Sequence, residues 1–571
     1  MIRFAGIFLR SFLAITLLLS FRSAPSLAQA SGQGGRDVIR ISVDASKPGA
    51  PLRHVWPFFG FDECNFAVAP DARELIRTLS DSQPDPVYIR CHFLLNTGNG
   101  VPGLKWGSTN AYTEDASGNP IFDWTIMDGI LGSISQSGAR PLVEIGFMPK
   151  ALSVRPEPYQ HVYPPDSWAG WAYPPKDYRK WAALVREWAR HSAARFKAAE
   201  SDWLWELWNE PDIFYWQGTF EEYCRLFDFT ENALHEVMPR AVLGGPHTTS
   251  PSYNRPAAFL RDFLKHCQSG TNLATGKRGT RLDYVGFHSK GATQFVGGHP
   301  RMNLAANLAN NKAGFNIVAE FPEYKNTPVI IGECDPEGLA ALSSTIQPAN
   351  GYRNGSAYAA YEAALMKHTL ELADRAGVNL RGVLTWAFLF EGRDYFEGFR
   401  TLATNGIHKP VLNVFKMLGK LGGRRILLSS SGALGADRII ANKVLGRPDI
   451  DGLAAASADA AQILIWNYHD DVAAGQPAAV RLAVQPPRES IRSARIAHYR
   501  IDDTHSNAYT RWLQLGSPEA PTTAQYAELK KAGELELLEP VKSVDLQGGQ
   551  LSLDFALPRL GVSLIEIRWI R

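Results

Sequence analysis

Trp203-Leu204-Trp205-Glu206-Leu207-Trp208-Asn209-Glu210-Pro211 reads as a short buried strand that stops at a proline, a residue with no N–H to give to a sheet ladder. Glu210 therefore stands at the carboxyl end of a strand, where parallel α/β sheets open their ligand crevice. Beside the Asn209 amide and among indole rings, its carboxyl meets a setting of low polarity that favours the neutral form. A neutral carboxyl there can protonate a leaving sugar oxygen. The alternative role for Glu210 is a capping residue ahead of a helix.

Outward from this stretch the chain alternates apolar strands with amphipathic helices. The strands are expected at Phe58–Phe61, Val87–His92, Pro141–Phe147, Trp203–Trp208, Ala241–Gly244, Asp283–His288, Pro328–Cys334 and Gly382–Phe388. Helices are expected near Ala72–Leu79, Trp124–Ser137, Asp177–Ala199, Phe220–Val237, Ala257–Cys267, Met302–Phe321, Ser356–Ala376 and Pro410–Leu421. Eight strands alternating with eight helices predict an α/β fold, a (β/α)8 TIM barrel over residues 56–421. An open doubly wound sheet would want a Gly-rich phosphate turn after its first strand, and none is present.

After Gly422-Gly423 the pattern changes to strands separated by Gly, Pro, Ser and Asp: Arg425–Ser430, Gln462–Tyr468, Ala478–Val484, Ala494–Ile501, Glu534–Leu538, Leu551–Phe555 and Val562–Trp569. That pattern predicts an antiparallel β-sandwich over residues 422–571. Residues 31–55 hold a further strand near Asp37–Val43, expected to pack on the sandwich. The first thirty residues read as a signal peptide: Arg3 and Arg10, an apolar run from Ser11 to Phe21, and Ala28-Gln29-Ala30 as a cleavage site. The run is short for a membrane span, so export to the periplasm or medium is expected, with a mature start near Ser31 and no membrane contact after cleavage; the rival reading is an uncleaved anchor.

With 59 Lys and Arg against 57 Asp and Glu, the chain has no basic stripe, and nucleic acid is not expected as a partner. The five cysteines, Cys64, Cys91, Cys224, Cys267 and Cys334, form no CxxC pair and no zinc spacing. Buried free thiols are expected, with one bridge left open. No GxSxG elbow and no HExxH occurs, so neither a metal nor a cofactor is expected.

The chemistry of such a barrel gathers at the carboxyl ends of its strands. Glu210 ends strand four and Glu333 ends strand seven, so the two can face each other across the mouth. Hydrolysis of a glycoside uses such a pair, one acid and one attacking or water-activating carboxylate. A separation of about 5–5.5 Å marks retention and about 6.5–9.5 Å inversion. Arg90 and His92 share one strand face, and Arg90 can hold the attacking carboxylate ionised. Asn209 can donate to a sugar hydroxyl, and Trp386 can form the floor on which the ring stacks. His288 and Lys290 can bind hydroxyls. Set against these roles are a buried ion pair for Arg90, core histidines for His92 and His288, and plain packing for Trp386. Glu206 reads as a structural carboxylate inside the barrel. Glu63, Asp335 and Glu337 read as solvated loop charge.

Several stretches together resemble the β-xylosidases of glycoside hydrolase family thirty-nine, within the clan of (β/α)8 retaining enzymes. They are Tyr88-Ile89-Arg90-Cys91-His92, PLVEIGFMPK from Pro141 to Lys150, Pro174-Pro175-Lys176-Asp177-Tyr178, ELWNEP from Glu206 to Pro211, and Pro328 to Glu333. Leu389-Phe390-Glu391, Asp502 to Asn507 (DDTHSN) and Gln525 to Lys530 (QYAELK) also fit, so the likeness runs from about Trp56 to the C-terminus. The resemblance implies Glu210 as acid/base, Glu333 as nucleophile, and sugar contacts from His92, Asn209, His288 and Glu391. It implies a β-xylosidase acting on xylo-oligosaccharides. Two departures lie beside the nucleophile: His288-Ser289-Lys290 where those enzymes show His-Ala-Tyr, and Cys334-Asp335-Pro336-Glu337 where an aromatic residue is common. Another sugar, an iduronide, arabinoside or glucoside, therefore stays open. So does a carbohydrate-binding protein that has lost catalysis.

Overall fold

The computed structural model describes residues 38–160, 169–198, 202–387 and 391–570. The expected signal peptide and the Gly-rich residues after it lie outside the described residues, as do Phe388, Leu389 and Phe390. Eight parallel strands close into a barrel. In chain order they are Phe58–Phe61, Tyr88–Cys91, Arg140–Ile145, Leu204–Leu207, Val242–Thr248, Tyr284–Lys290, Pro328–Asp335 and Asn379–Trp386. The helices between them include Pro70–Ser82, Tyr178–Phe196, Phe220–Val237 and Ser356–Ala376.

Local chemistry sets these boundaries. The Asp177 side chain accepts from the N–H groups of Arg179 (2.8 Å) and Lys180 (3.2 Å), which starts the helix after strand three. Thr219 and Glu222 close a reciprocal capping box ahead of Phe220–Val237. The fifth and sixth strands run further than the apolar pattern suggests, because their polar ends, Pro246 to Thr248 and Ser289-Lys290, still pair along the barrel.

The barrel interior is layered. Phe58, Tyr88, Leu142, Leu204, Tyr284, Ile330 and Leu384 belong to one buried apolar cluster that closes the lower end. Two residues on, facing the same way, stand Gly60, Arg90, Glu144, Glu206, Gly286, Gly332 and Trp386. Trp386 apart, this second layer is charged, or lacks a side chain where a neighbour needs the space. A Cβ on Gly60 would fall 2.0 Å from the Trp386 ring, and one on Gly332 would fall 2.3 Å from His247. The apolar layer thus supports a polar layer directly beneath the mouth.

The second sheet is mixed. Its strands run in the order Glu536–Leu537, Ser493–Ile501, Val562–Ile570, Ala460–Tyr468, Asp449–Ala456, Arg424–Ser430, Ile39–Pro51, Ala478–Gln485 and Leu551–Leu557. Ile39–Pro51 pairs antiparallel with Arg424–Ser430 and parallel with Ala478–Gln485. The expected pairing of the N-terminal strand into the sandwich is present, but this one parallel pair corrects the purely antiparallel expectation. The strand Asp449–Ala456 and the helices Ala436–Asn442, Ala508–Gln514 and Thr523–Ala532 are additions to the sequence reading. No helix among the described residues is long and apolar enough to cross a membrane. All five cysteines are buried and free.

Candidate active site

Arg90 is fully buried and organises the polar layer. Its guanidinium donates to Glu206 through Nε, to Glu333 Oε1 (2.9 Å) through Nη1 and to Asn209 Oδ1 (3.0 Å) through Nη2, and Nη2 forms an ion pair with Glu144 Oε2 at 2.9 Å. It joins strands two, three, four and seven, so it is both the buried ion pair and a partner of Glu333. His247 lies 2.9 Å from the other Glu206 oxygen. Burial pushes the Glu206 carboxyl up, but Arg90 and His247 outweigh it and hold the group at about 2. Glu206 is thus the structural carboxylate expected. His92 Nδ1 sits 2.6 Å from Glu144 Oε2. Burial opposes the His92 charge, yet the Glu144 carboxylate carries it to about 8.

Glu210 follows strand four in a left-handed conformation, with φ +43°, and Trp208 and His247 beside it share positive φ (+65° and +54°). Non-glycine residues in that region carry strain that the surrounding structure must hold. Here the Glu210 N–H donates to the His247 carbonyl (3.0 Å), which fixes the kink and turns the carboxyl towards Glu333. His288 Nδ1 lies 3.0 Å from Glu210 Oε1 and 3.7 Å from Glu333 Oε1. One carboxylate oxygen of Glu210, one of Glu333 and a His288 ring nitrogen all lie within 4.8 Å of one another. That proximity fits the close spacing of the retaining geometry.

The two carboxyls have opposite electrostatic settings. Burial raises the Glu210 pKa, the Glu333 charge raises it further, and it reaches about 7. Burial also raises Glu333, but the Lys290 ammonium, whose Nζ lies 2.6 Å from Oε2, and the groups of His92 and Arg90 overcome it. They hold Glu333 well below the usual carboxylate range. His288, desolvated and close to other cations, is held neutral. At neutral pH the pair therefore holds one ionised carboxylate beside one that is about half protonated.

The pair opens into a cavity of about 430 Å³ that His92, Asn209, Lys290, Trp386, Lys105 and Arg400 also line. Trp386 lies 4.3 Å from the His92 ring and 5.0 Å below the Arg90 guanidinium. Of the seven site residues expected besides the pair, Arg90, His92, Asn209, His288, Lys290 and Trp386 gather around it, and Glu391 does not. Glu391 is exposed and accepts the Asp71 N–H (3.1 Å) at the start of Pro70–Ser82, away from this cavity. Glu63, Asp335 and Glu337 are buried, not solvated as expected. Asp335 accepts from Lys290 and from the Trp386 N–H (2.8 Å). Glu337 is held at about 2: burial raises it, and Arg353 and Arg400 prevail. Sequence reading missed Glu144, His247, Lys105 and Arg400. Glu144 lies on a predicted strand and was open to the same positional argument; His247 lies just past the predicted Ala241–Gly244, on the part of the strand that the apolar pattern did not reach, and Lys105 and Arg400 lie in long mouth loops with no local signal.

The Glu210, His288 and Glu333 atoms could hold a metal ion, as could those of His368, Asp449 and Asp451. Each group already contains a lysine ammonium, Lys290 on Glu333 and Lys367 on Asp451.

An ionised carboxylate and a carboxyl of raised pKa meeting at the mouth of a (β/α)8 barrel is the arrangement expected of a glycosidase. The family model for glycosyl hydrolases family 39 matches residues 39–547, and the chain belongs to that family. It is 25% identical to a β-xylosidase of Caldicellulosiruptor saccharolyticus over 93% of this chain and 99% of that one. It is 26% identical to a mouse α-L-iduronidase over 92% and 80% of the two chains. A monomeric β-xylosidase structure from Caulobacter crescentus CB15 shares the fold, with a TM-score of 0.71 at 20% identity over 93% of this chain and 100% of that one.

Proposed function

We propose that the protein is a retaining glycoside hydrolase in which Glu333 is the nucleophile and Glu210 the acid/base. One observation carries this reading: the two carboxyls meet within 4.8 Å with their acidities driven apart. Ionised Glu333 attacks the anomeric carbon as the glycosidic C–O bond breaks, and the Glu210 proton passes to the departing oxygen. A glycosyl ester on Glu333 results. Glu210, now a carboxylate, takes a proton from water; the water oxygen attacks the anomeric carbon and Glu333 departs. Two displacements leave the configuration unchanged. With Asn209 Oδ1 taken by Arg90, the Asn209 NH2 is the end left to donate to a sugar hydroxyl. Trp386 offers the ring a face. A carbohydrate-binding protein without catalysis would have no use for the divergent acidities.

The first reading of the sugar is a β-xyloside at the end of a xylo-oligosaccharide, which the family and the named β-xylosidases support. A second reading, a uronide such as an iduronide, is favoured by the cations Lys290, Lys105 and Arg400 along the cavity wall, because a sugar carboxylate needs a cation and a pentose does not. Aryl xyloside, iduronide, arabinoside and glucoside assayed side by side, with the first-formed anomer read by NMR, test both. Retention on one of them is expected. Inversion, or no turnover of any, overturns the proposal. We further propose export after cleavage beyond Ala30, which N-terminal sequencing of the mature protein would check.

A further inference from the structure

Two stretches of the sequence, Asp502 to Asn507 and Gln525 to Lys530, play no part in the chemistry above. Both lie in a helical insertion, residues 502–535, between the strands Ser493–Ile501 and Glu536–Leu537 of the second sheet. Its helices, Ala508–Gln514 and Thr523–Ala532, each have one fully buried residue, Ala508 and Leu529. These two form a small apolar cluster with Phe396 and Ile407, and Tyr509, Trp512 and Tyr526 pack against it. Every member of the cluster comes from the insertion or from the loop that joins strand eight to the helix Pro410–Gly419. The barrel core and the sheet core contain none of them. The apolar faces of the insertion are therefore committed to that one loop.

Polar contacts repeat the pairing. The Phe396 ring lies 5.4 Å from Tyr509 and 5.3 Å from Trp512. The Tyr526 hydroxyl donates to the Asn405 carbonyl (3.0 Å), and the Asn413 amide donates to the carbonyls of Ser506 (3.2 Å) and Gly533 (2.8 Å). Asp502 shapes the entry to the insertion by accepting the N–H groups of Thr504 (2.8 Å) and His505 (2.9 Å). Asn507 then caps the first helix, accepting the Thr510 N–H (3.1 Å). Lys530 pairs with Glu74 of the first barrel helix at 3.0 Å.

The loop held in this way carries Arg400 into the active site. Arg400 is fully buried; its Nε donates to the Trp386 carbonyl (2.7 Å) and its Nη1 to the Glu337 carbonyl (2.6 Å). Its Nη2 forms an ion pair with Asp335 Oδ2 at 3.3 Å. Asp335 also accepts from Lys290, the ammonium that lies on Glu333. Asp335 thus has two cations, which lets Lys290 serve Glu333 as well. With Arg400 displaced, Lys290 is the cation that remains to Asp335, and the attraction draws it away from Glu333. The other face of the loop rests on the loop after strand seven: Asn354 donates to the Phe396 carbonyl (2.7 Å) and Arg353 to the Gly398 carbonyl (3.0 Å).

Resting on the glycosidase reading above, we propose that residues 502–535 are a brace for the active site: Tyr509, Trp512 and Tyr526 are positioning residues that hold the strand-eight loop, so that Arg400 stays on Asp335 and Lys290 on Glu333. The second domain is then a working part of the catalytic centre, although none of its residues lines the cavity.

Trp512→Ala takes a ring away from Phe396, and Tyr526→Phe removes only the hydroxyl on Asn405. Glu333 is faced by Arg90, His92, Lys105, Glu210, His288 and Lys290, and both variants leave all six in place. On one aryl glycoside, Trp512→Ala is expected to lower kcat/KM about fivefold or more and to raise its acid limb by about half a pH unit. Trp512→Phe should restore both, and Tyr526→Phe should move them the same way by less. In a Lys290→Met background Trp512→Ala should shift the acid limb no further, because the effect travels through that ammonium. Val480→Ala, in the sheet core near the opposite edge of the sheet, is the control for a plain loss of stability and should leave the profile unmoved. Amide hydrogen exchange needs no substrate: peptides over residues 393–404 are expected to exchange at least about tenfold faster in Trp512→Ala. Unchanged exchange there overturns the inference, as does an acid limb that stays in place or shifts equally in the Lys290→Met background. Faster exchange in a chain that hydrolyses no glycoside leaves the brace standing and removes the glycosidase reading instead.

Discussion

Lys290 Nζ lies 2.6 Å from Glu333 Oε2 in a buried setting. The ammonium is the leading force that keeps Glu333 ionised against its own burial. Lys290→Met removes that force, so the Glu333 pKa must rise. The acid limb of kcat/KM is expected to move up by about one pH unit or more, with the loss greatest at low pH. A pH profile measured on one aryl glycoside decides this; an unmoved acid limb would assign Lys290 to the substrate alone.

Glu333→Gln is expected to lower turnover by at least about four orders of magnitude while leaving sugar binding measurable. Glu210→Ala should behave differently. Alkyl glycosides, which need a proton on the leaving oxygen, should lose about 10²–10⁴ in the first step, and dinitrophenyl glycosides, which do not, should keep it. Pre-steady-state kinetics on the two leaving groups reads this directly. Equal losses would remove Glu210 from the acid role.

The alkaline limb of kcat/KM belongs to Glu210 and is expected near pH 7, where the acid loses its proton. Part of that elevation comes from the Glu333 charge, so Glu333→Gln should lower the Glu210 pKa. Carboxyl NMR titration of the variant would show the drop; no change would leave burial as the sole cause.

Glu210 should cost the protein stability as pH rises. Its folded pKa of about 7 exceeds the ordinary 4.5, so the folded state binds the proton more tightly. The favourable contribution is whole below pH 4.5 and is lost as pH climbs to about 7. Above that the ionised, desolvated group destabilises the fold by about 3 kcal/mol. Glu210→Gln should therefore melt like the wild type near pH 4.5 and above it at pH 8. A calorimetric difference independent of pH would contradict this.

Arg90→Met should be far more damaging than a surface change. It leaves Glu206 and Glu144 as buried carboxylates without their shared cation, a loss of about 3–5 kcal/mol. Denaturant unfolding measures it.

The barrel was legible because each of its strands is a short apolar run and each helix an amphipathic one, and those periodicities differ. Glu210 and Glu333 were legible because they end such strands. Asp449–Ala456 was not: Asp-Ile-Asp-Gly-Leu-Ala-Ala-Ala is buried on both faces, so it does not alternate, its one β-branched residue is Ile450, and it is held by its neighbours. Thr523–Ala532 had a readable start, since Thr522 and Gln525 form a capping box. Arg400 and Lys105 reach the site through loops whose path depends on tertiary contacts. The burial of Asp335 and Glu337 depends on Arg353 and Arg400, distant partners that no local pattern announces.

The strand Ile39–Pro51 lies in the interior of the second sheet, flanked by Arg424–Ser430 and Ala478–Gln485. During synthesis it must wait for some 380 residues to emerge before its first neighbour exists, tens of seconds at about 5–20 residues per second. Until then it is a bare template for pairing with any other chain. Nor can the carboxyl-terminal region be produced by itself with its sheet intact, because removing the amino-terminal segment would cut Ala478–Gln485 and Leu551–Leu557 off from the other strands and expose two raw edges.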